Sequence, residues 1–527
     1  MNGKELHISK NVLVLGNSSY GYQVAAHVRD NGYPVILSIT EPSDYISDEK
    51  AGEIEILMPS VLVDVKGGPG DFKVVLGFGD GSQARRTCGC IIVAMECSWV
   101  SARKAWNLPP RENVLSLSQV CSDPEAFMGK LDHGGKIVFV CGFVQNSYSF
   151  TQRQVAKIAG TLAKRPDLHV YVLMEHFKVS EQGVEKQIRR ARDQGVVFVK
   201  FSESRPDILV NGDKIVIKYY DEGLGGWVEF SPDAVVLEES SYPPPEAQVL
   251  SRALEVRLDN QGFFQADSLH NLPIYCNRTG VFVVGSGKGT ISEAQSKTEA
   301  KAVAVEVAKL LEGFEDALGQ PSINLEKKKC AICLTCYRVC PHRAISHRNR
   351  RPEFSPLACK RCGMCVAVCP MNAIELEASR REDVVAELKG VTHRFIKGTR
   401  DHLPHIVVLA CQNSAYDAYL LARQRGLDIQ AHTGVVKIPC GGRVDSETVL
   451  KAFANGIDCV MVLACPHDSC KSSDGSMACS QTIEVLHEML EETGIDAGRL
   501  IFDTLGPGSA MEFVDLVNQV AKELEER

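Results

Sequence analysis

The chain has 527 residues, of which 44% are hydrophobic, and it carries 58 Lys and Arg against 66 Asp and Glu, a formal net charge of −8. This length suggests about three or four domains, and the acidic balance argues against a nucleic acid partner. Twenty cysteines without a secretory leader indicate metal ligands in a reducing, cytoplasmic setting. No apolar run reaches the roughly 20 residues that cross a bilayer, so any membrane contact would need a partner.

The first predicted element is a buried strand at residues 11–15, followed by a turn, a helix to about residue 31 and a second strand at 35–39. The turn reads Gly16-Asn-Ser-Ser-Tyr-Gly21, in the context of the dinucleotide-binding fingerprint, but Ser18 stands where that fingerprint has its middle glycine. We predict cofactor binding by Gly16, Ser18 and Gly21. The alternative is the fold without the ligand, because the ribose-binding acid expected after the second strand falls on Ile39.

A second α/β unit is predicted to begin with a strand at 136–140, after a strand at 90–94. The turn that follows it contains one glycine and is a poor site for NAD. Alternating elements follow, with helices predicted at 151–163 and 181–194 and strands at 169–173, 196–200 and 234–237.

The chain then returns through a strand at 280–284 to Gly285-Ser-Gly-Lys-Gly289 and a helix at 292–311. Backbone N–H groups of such a loop can receive a phosphate or a flavin edge. Gly285, Ser286 and Gly287 are therefore further candidates for cofactor binding, and a tight turn needed only for packing is the alternative.

The bacterial ferredoxin spacing C-x2-C-x2-C-x3-C-P occurs twice, 29 residues apart, between Cys330 and Pro370. In this motif three cysteines bind one iron–sulfur cube and the fourth, beside a proline, reaches the other cube. We assign one 4Fe–4S cluster to Cys330, Cys333, Cys336 and Cys369, and the second to Cys359, Cys362, Cys365 and Cys340. Structural zinc is disfavoured, since its sites use four ligands, usually in two CxxC pairs.

Positive charge is concentrated on this repeat. From Lys327 to Arg351 there are eight Lys and Arg and no Asp or Glu. Nearby positive charge raises the reduction potential of a thiolate-bound cluster, and the same patch could dock an acidic partner protein. An ordinary solvated face is the alternative.

A charged helix at 375–389, closed by Gly390, is expected to lead into a third α/β unit. Its strands at 406–410, 435–439 and 460–464 alternate with helices at 415–425, 446–455, 481–493 and 510–525, which predicts a doubly wound parallel sheet. Each strand ends at a cysteine, and ligands bind outside the carboxyl ends of such strands. The predicted ligands of a third cluster are Cys411, Cys440, Cys465 and Cys470. Cys479 is a reserve ligand, and His467 is expected beside the site without binding the metal. Structural zinc remains an alternative to a cluster.

Residues 8–375 resemble the A subunit of heterodisulfide reductase, which has the two-dinucleotide-domain flavoprotein fold beside ferredoxin modules. The resemblance rests on Gly262-Phe-Phe-Gln-Ala-Asp267, on the segment from Thr279 to Gly285 and on the helix with Gln295-Ser296. It implies FAD, although Met95-Glu96 stands where the family has Thr-Gly.

The segment Cys440-Gly-Gly-Arg-Val-Asp445 resembles the iron–sulfur D subunit of methanogen hydrogenases, the methyl-viologen-reducing hydrogenase delta family. This resemblance implies a 2Fe–2S cluster, with Cys411-Gln-Asn-Ser414 where the family has CxxC. The combination also resembles the B subunit of the quinone-interacting membrane-bound oxidoreductase.

Together these resemblances imply an α/β protein with three domains. They are an FAD/NAD-linked reductase-like domain at 1–320, interrupted by an inserted α/β unit at about 101–245, a 2×4Fe–4S ferredoxin domain at 321–380 and an iron–sulfur α/β domain at 400–527.

No residue stands out as a general acid, base or nucleophile. We therefore expect an electron-transfer subunit of an anaerobic heterodisulfide-reductase-like complex, relaying electrons between a C-terminal cluster, two 4Fe–4S clusters and a flavin or partner subunit. Its partners would be heterodisulfide-reductase-like, hydrogenase-like or quinone-interacting oxidoreductase subunits. The alternative is an FAD-containing oxidoreductase subunit that itself performs flavin-based electron bifurcation or confurcation.

Overall fold

The computed structural model describes residues 8–41, 53–105, 108, 111–129, 135–178, 180–201, 205–211, 214–268, 271–313, 323–397, 403–430 and 432–526. The chain forms two compact units that interleave in sequence. The first comprises Met1–Met95, Glu246–Val284 and Glu299–Arg527, and the second Glu96–Pro245 and Gly285–Thr298. No helix within the described ranges is both long enough and apolar enough to cross a membrane.

The first unit opens with a five-stranded parallel sheet. Its strands lie in the order Val281–Val283, Cys90–Ala94, Val12–Gly16, Val35–Ile39 and Ile54–Leu57. Continuous runs of Val, Leu and Ile suit strands buried on both faces, which is why three of them were predictable almost to the residue. One face packs against the helices Ser19–Asp30 and Glu293–Glu312.

The other face packs against the helix Ala247–Leu254 and an antiparallel sheet that we did not predict. This sheet consists of Ser60–Lys66, Phe72–Phe78 and Gln83–Cys88. Its last strand is mostly polar and lacks the apolar run that marks a buried strand.

The second unit is built on another five-stranded parallel sheet, in the order Val197–Lys200, His169–Met174, Lys136–Cys141, Ala234–Leu237 and Val114–Ser116. The helices Ser149–Leu162 and Val184–Asp193 cover it, near their predicted positions. Further helices in the described part of this unit are Ala102–Ala105, Leu117–Ser122 and Pro124–Gly129. Antiparallel pairing joins Asp207–Asn211, Lys214–Asp221 and Gly226–Phe230, and separately Ser98–Ser101 and Glu239–Tyr242.

Short elements surround the cysteine repeat in the first unit. They are the strand pairs Ile323–Leu325 with Ile374–Leu376 and Ile345–Arg348 with Arg351–Phe354, and the helices Thr335–Val339 and Met364–Ala367. The helix predicted at 375–389 is present but begins six residues later than predicted. Residues at its start form a strand because Ile374 and Leu376 are buried against a distant partner strand, and the helix Arg381–Lys397 begins later and continues through Gly390.

The C-terminal part of this unit contains a four-stranded parallel sheet in the order Thr433–Ile438, Ile406–Cys411, Cys459–Ala464 and Leu500–Thr504. Its last strand was not predicted. Helices cover both faces. Arg381–Lys397, Ser446–Ala454 and Gly475–Glu492 pack on one, and Ala415–Gln424 and Ala510–Glu525 on the other.

Candidate functional site

The two halves of the cysteine repeat share one backbone conformation. Ile332 and Arg361, which are 29 residues apart, have φ of 58° and 57°. Leu334 and Gly363, again 29 residues apart, have φ of 57° and 81°. Left-handed backbone is uncommon for residues other than glycine. Its recurrence at equivalent positions shows that the two halves fold alike.

The fourth cysteines of the two halves also have matching surroundings. Ala344 N–H donates to Cys340 Sγ at 3.4 Å, and Ala373 N–H donates to Cys369 Sγ at 3.3 Å. Amide hydrogen bonds to ligand sulfurs stabilise negative charge and are one means of setting a cluster's potential. These two amides are therefore placed as an iron–sulfur ligand requires.

The eight sulfurs of the repeat sort into two groups. Burial and, after it, the nearby sulfurs of Cys333, Cys369 and Cys330 raise the pKa of Cys336 to about 11. Burial likewise raises the pKa of Cys362 to about 12, with Cys340 and Cys359 as its sulfur neighbours. The fourth cysteine of each half thus lies with the other half, as the predicted assignment requires. We call these groups the first cysteine set, Cys330, Cys333, Cys336 and Cys369, and the second cysteine set, Cys340, Cys359, Cys362 and Cys365.

Four buried cysteines meet at the carboxyl edge of the C-terminal sheet. Cys411 Sγ lies 3.7 Å from Cys465 Sγ, and hydrogen bonds between thiols link both of these, through Cys440 and Cys470, into a closed circuit. Hydrogen bonds with Cys440 and Cys465 lower the pKa of Cys411 to about 3, and hydrogen bonds with Cys411 and Cys470 raise the pKa of Cys440 well above its ordinary value. We call this group the thiol ring. It consists of the four cysteines that were predicted to meet at this edge of the sheet, Cys411, Cys440, Cys465 and Cys470.

Small and polar residues line the thiol ring. A methyl group on Gly475 would overlap Cys440 Sγ, so the glycine makes room for the sulfur. Two further residues lie at its margin: Cys479, which was predicted as a reserve ligand, and Ser414, which was not predicted. Cys479 is fully buried near Cys411 and Cys470, and Ser414 is buried with its hydroxyl beside Cys411. His467 is exposed and its Nδ1 lies 3.1 Å from Ser476 Oγ, outside the ring.

Within the described ranges, no group of three or more His, Cys, Asp or Glu side chains has the spacing that holds a metal ion as it stands. The ligation of the twelve cysteines is therefore a proposal. Thiolates are the ligands that iron–sulfur clusters and zinc prefer, and the donor sets fit such a cofactor.

The second cysteine set adjoins the thiol ring. A Cβ on Gly363 would lie 2.6 Å from Arg443 Cδ, and a Cβ on Gly442 would lie 2.7 Å from Met364 Cγ. Because these two glycines lack a side chain, the loop that carries Cys362 and the loop that carries Cys440 pack closely, the backbone of each against a side chain of the other. The charge of Cys362 also contributes to the raised pKa of Cys440. The loops that carry Cys362 and Cys440 are thus in direct contact.

A buried charge network lies at this contact. Asp445 Oδ2 accepts hydrogen bonds from Arg443 Nη1 at 2.9 Å and from Arg381 Nε at 3.1 Å. Burial alone would raise the pKa of Asp445, but the hydrogen bonds from Thr448 and the charges of the two arginines hold it below its ordinary value. Arg381 also donates to the Val366 carbonyl at 2.6 Å. The network therefore fastens the ferredoxin region to the C-terminal sheet.

The basic residues around the repeat differ in their contacts. Lys329 pairs with Glu326 at 2.6 Å and Arg343 with Glu255 at 3.6 Å, so the surrounding chain neutralises part of the patch. Arg338 instead donates to the carbonyl of Cys333, the exposed member of the first cysteine set. The cationic bias therefore persists beside the most accessible sulfur.

The first predicted nucleotide turn retains its close packing. A Cβ on Gly16 would lie 3.0 Å from Gly21 Cα, so both glycines are needed where the helix approaches the strand. Ser18 caps the helix instead, since its Oγ accepts from Tyr20 N–H at 3.2 Å, and this uses an amide that could otherwise face a phosphate. Thr40 Oγ1, beside the turn, is buried without a partner among the described residues. The glycines fit a nucleotide, whereas Ser18 competes with its phosphate.

The second predicted loop belongs to the second unit and has other contacts. Gly285 has a φ of 80°, which favours glycine, but Ser286 Oγ accepts from Cys97 N–H at 3.0 Å. The following helix starts only at Glu293, whose carboxylate adds negative charge to its first turn. The positive φ therefore explains why position 285 is a glycine, and the Ser286 hydroxyl already accepts the hydrogen bond of the Cys97 amide.

A carboxylate occupies the crevice at the centre of the second unit's sheet. Glu238 follows the strand Ala234–Leu237 and accepts hydrogen bonds from Gly142 N–H and Ser147 Oγ, both at 2.9 Å. Strand order reverses between this strand and Lys136–Cys141, which is where such folds bind nucleotides. The Glu238 carboxyl group therefore fills the position that would receive a phosphate.

Glu238 predicts a pH dependence of stability. Burial raises its pKa to about 7, so the folded state holds a proton that the unfolded state releases near its ordinary pKa of 4.5. Stability should therefore fall by about 3 kcal/mol as pH rises through this window. Urea unfolding at pH 5 to 8, followed by Trp fluorescence, measures it, because all three tryptophans fall within the sequence range of the second unit. Glu238→Gln should flatten the curve and exposed Glu229→Gln should not; an equal slope in all three proteins would contradict the prediction.

Comparisons with known proteins give two family matches. Residues 406–526 match the methyl-viologen-reducing hydrogenase delta subunit family, and residues 322–370 match the 4Fe-4S dicluster domain. The chain is also 28% identical over 116 residues to the iron-sulfur D subunit of the F420-non-reducing hydrogenase of Archaeoglobus profundus, covering 22% of this chain and 85% of that protein.

A longer match is to the A subunit of the ferredoxin/F420H2-dependent CoB-CoM heterodisulfide reductase of Methanosarcina acetivorans. Identity is 26% over 362 residues, covering 68% of this chain and 45% of that protein, so the chain spans less than half the length of that relative. Thioredoxin reductase from T. acidophilum covers 59% of this chain and 100% of its own at 14% identity and a TM-score of 0.37, too low to support an argument. The predicted resemblances to the heterodisulfide reductase A protein and to the hydrogenase delta protein are confirmed. The resemblance to the quinone-interacting oxidoreductase stays a prediction.

Proposed function

We propose that this chain is an electron-transfer subunit of a cytoplasmic, heterodisulfide-reductase-like redox complex. The first and second cysteine sets each hold a 4Fe–4S cluster, and the thiol ring holds a third, 2Fe–2S cluster. Electrons pass between the thiol ring and the second set, then the first set, and onward to a flavin or a partner subunit. The partners are subunits of the kinds found in heterodisulfide reductase and hydrogenase complexes.

The observation that carries this proposal is the contact between the two cysteine-bearing loops. Gly363 packs against Arg443 and Gly442 against Met364, so no other domain separates the second set from the ring. The first set includes the exposed Cys333. Three adjoining sulfur groups that run from the interior to the surface suit a relay.

The test is iron content and EPR of anaerobically purified protein. Two 4Fe–4S clusters and one 2Fe–2S cluster account for about ten iron atoms per chain. Cys440→Ser should lose about two of them and one reduced-state signal, while both ferredoxin-type signals remain. The matched control is Cys459→Ser, a fully buried cysteine outside the ring, which should keep all three. A colourless zinc protein, or a Cys440→Ser variant with unchanged iron and spectra, would refute the proposal.

A second candidate is the FAD-containing oxidoreductase subunit, in which the flavin carries out bifurcation or confurcation. It is favoured by the close packing of Gly16 on Gly21 and by the Thr40 hydroxyl, which has no hydrogen-bond partner among the described residues. Acid release of the cofactor decides between the two. One FAD per chain would support this candidate, and much less flavin with full iron would reject it.

A further inference from the structure

We propose that the Arg443 guanidinium is the shared counter-ion of two neighbouring clusters, the one on the second cysteine set and the one on the thiol ring, and that it sets the reduction potential of both. This inference rests on the proposed function, because it takes both clusters as present. Arg443 would be a positioning residue that is itself neither oxidised nor reduced.

Arg443 lies between the loop that follows Cys362 and the turn that follows Cys440. Its side chain is 2% exposed and packs against Gly363, the residue that follows Cys362. Its backbone N–H donates to the carbonyl of Cys440 at 3.0 Å, which closes a short 3-10 turn, Gly441–Arg443. The arginine is therefore held between a ligand loop of each proposed cluster by packing on one side and by its own backbone on the other.

Of the two carboxylates that pair with Arg443 and Arg381 among the described residues, only one is buried, so the buried groups carry an excess of positive charge. Two buried arginines, Arg443 and Arg381, share the buried Asp445, and the other carboxylate on Arg381, that of Glu375, is 37% exposed. A buried excess of positive charge is unfavourable unless an anion lies nearby. Clusters bound by four thiolates carry net negative charge, and they would provide that anion on both sides.

One donor of Arg443 also lacks an acceptor. Nη1 donates to Asp445 and Nη2 lies 3.5 Å from the Ser379 carbonyl, but the buried Nε has no hydrogen-bond partner within the described residues. Leaving a charged donor buried and unsatisfied costs free energy. Cluster and thiolate sulfurs accept hydrogen bonds, so a bound cluster would satisfy this N–H.

Each transfer along the relay moves one electron from one cluster to the next, with no bond made or broken. A reduced cluster gains negative charge, and a nearby fixed cation stabilises that state. Because one cation serves both clusters, removing it should lower both potentials together. The helix Thr335–Val339 of the first cysteine set contacts Met364–Ala367, which in turn contacts Gly441–Arg443. The first-set cluster should therefore respond little.

The test is a potentiometric EPR titration of the holoprotein with Arg443→Met, Arg443→Lys and, as a control, Arg423→Met at an exposed position of the same sheet domain. Arg443→Met should lower the potentials of the ring cluster and the second-set cluster while the first-set cluster keeps its value. Arg443→Lys, which keeps the charge but not the Nε donor, should lie between Arg443→Met and the wild type. The control should match the wild type.

Unchanged potentials in Arg443→Met, with all three signals present, would overturn the role of Arg443 and leave the proposed function standing. A wild-type protein without these signals would overturn the proposed function itself. If Arg443→Met fails to load the clusters, Asp445→Asn carries the test. It leaves the arginine charge less compensated, so both potentials should rise, and no change or a fall would refute the inference.

Discussion

Gly475→Ala is expected to abolish loading of the thiol-ring cluster while sparing both ferredoxin-type clusters. The added methyl group would overlap Cys440 Sγ and would come within 3.5 Å of Cys470 Sγ. Gly475 is the first residue of the helix Gly475–Glu492 and is buried, so the methyl group has little room to move aside. Protein interiors are packed closely enough that one misplaced carbon displaces its neighbour. The displaced neighbour here is a proposed ligand.

Iron analysis and EPR measure this effect, and thermal unfolding shows whether the fold survives. Alanine is the better helix former by about 1 kcal/mol, so lost loading cannot be attributed to weaker helix propensity. Gly508→Ala is the matched control, because a Cβ at that glycine meets nothing within 4 Å. A Gly475→Ala protein with wild-type iron and all three signals would contradict this prediction and would argue against Cys440 as a ligand.

The convergence of the ring cysteines was predictable because it follows from topology. Apolar runs such as residues 406–410 and 460–464 predict buried strands, alternation with helices makes them parallel, and parallel strands end at one edge. The observed register places Cys411 opposite Ile438 and Ala410 opposite Leu463, which brings the cysteines of three strand ends together. No distance information was needed for this step.

The residues that complete the site were harder to predict because their roles depend on contacts between distant segments. Arg443 stands in a short glycine motif, but nothing in the sequence shows that it packs on Gly363, 80 residues earlier. The burial of Ser414 beside Cys411 is likewise a property of the fold, and only its place in a C-x-x-S spacing hinted at it. The late start of the helix predicted at 375–389 has the same origin, since the strand Ile374–Leu376 depends on pairing with Ile323–Leu325.

Asp445→Asn is expected to lower the free energy of unfolding by about 3–5 kcal/mol, because breaking a buried ion pair leaves charge uncompensated. The change would leave Arg381 and Arg443 buried without their shared carboxylate. Asn keeps the other task of this side chain, which caps the helix Ser446–Ala454 through Thr448 N–H at 2.8 Å. Asn and Asp are about equally good at an N-cap, so the loss isolates the charge.

The pH dependence of the stability of the wild-type protein provides a second test of this prediction. The folded-state pKa of Asp445 lies below its ordinary value, so its stabilisation is complete at neutral pH and is lost as the pH falls through that lowered pKa. Asp445→Asn should therefore lose most stability at pH 7 and approach the wild type in acid, as measured by urea unfolding at several pH values. Asp496→Asn is the matched control, an exposed aspartate that caps a turn through Gly498 N–H at 2.9 Å. If both variants lost the same small amount of unfolding free energy at every pH, the charges of the arginines would not depend on Asp445 for compensation. The contact between the ferredoxin region and the C-terminal sheet would then have to come from apolar packing alone.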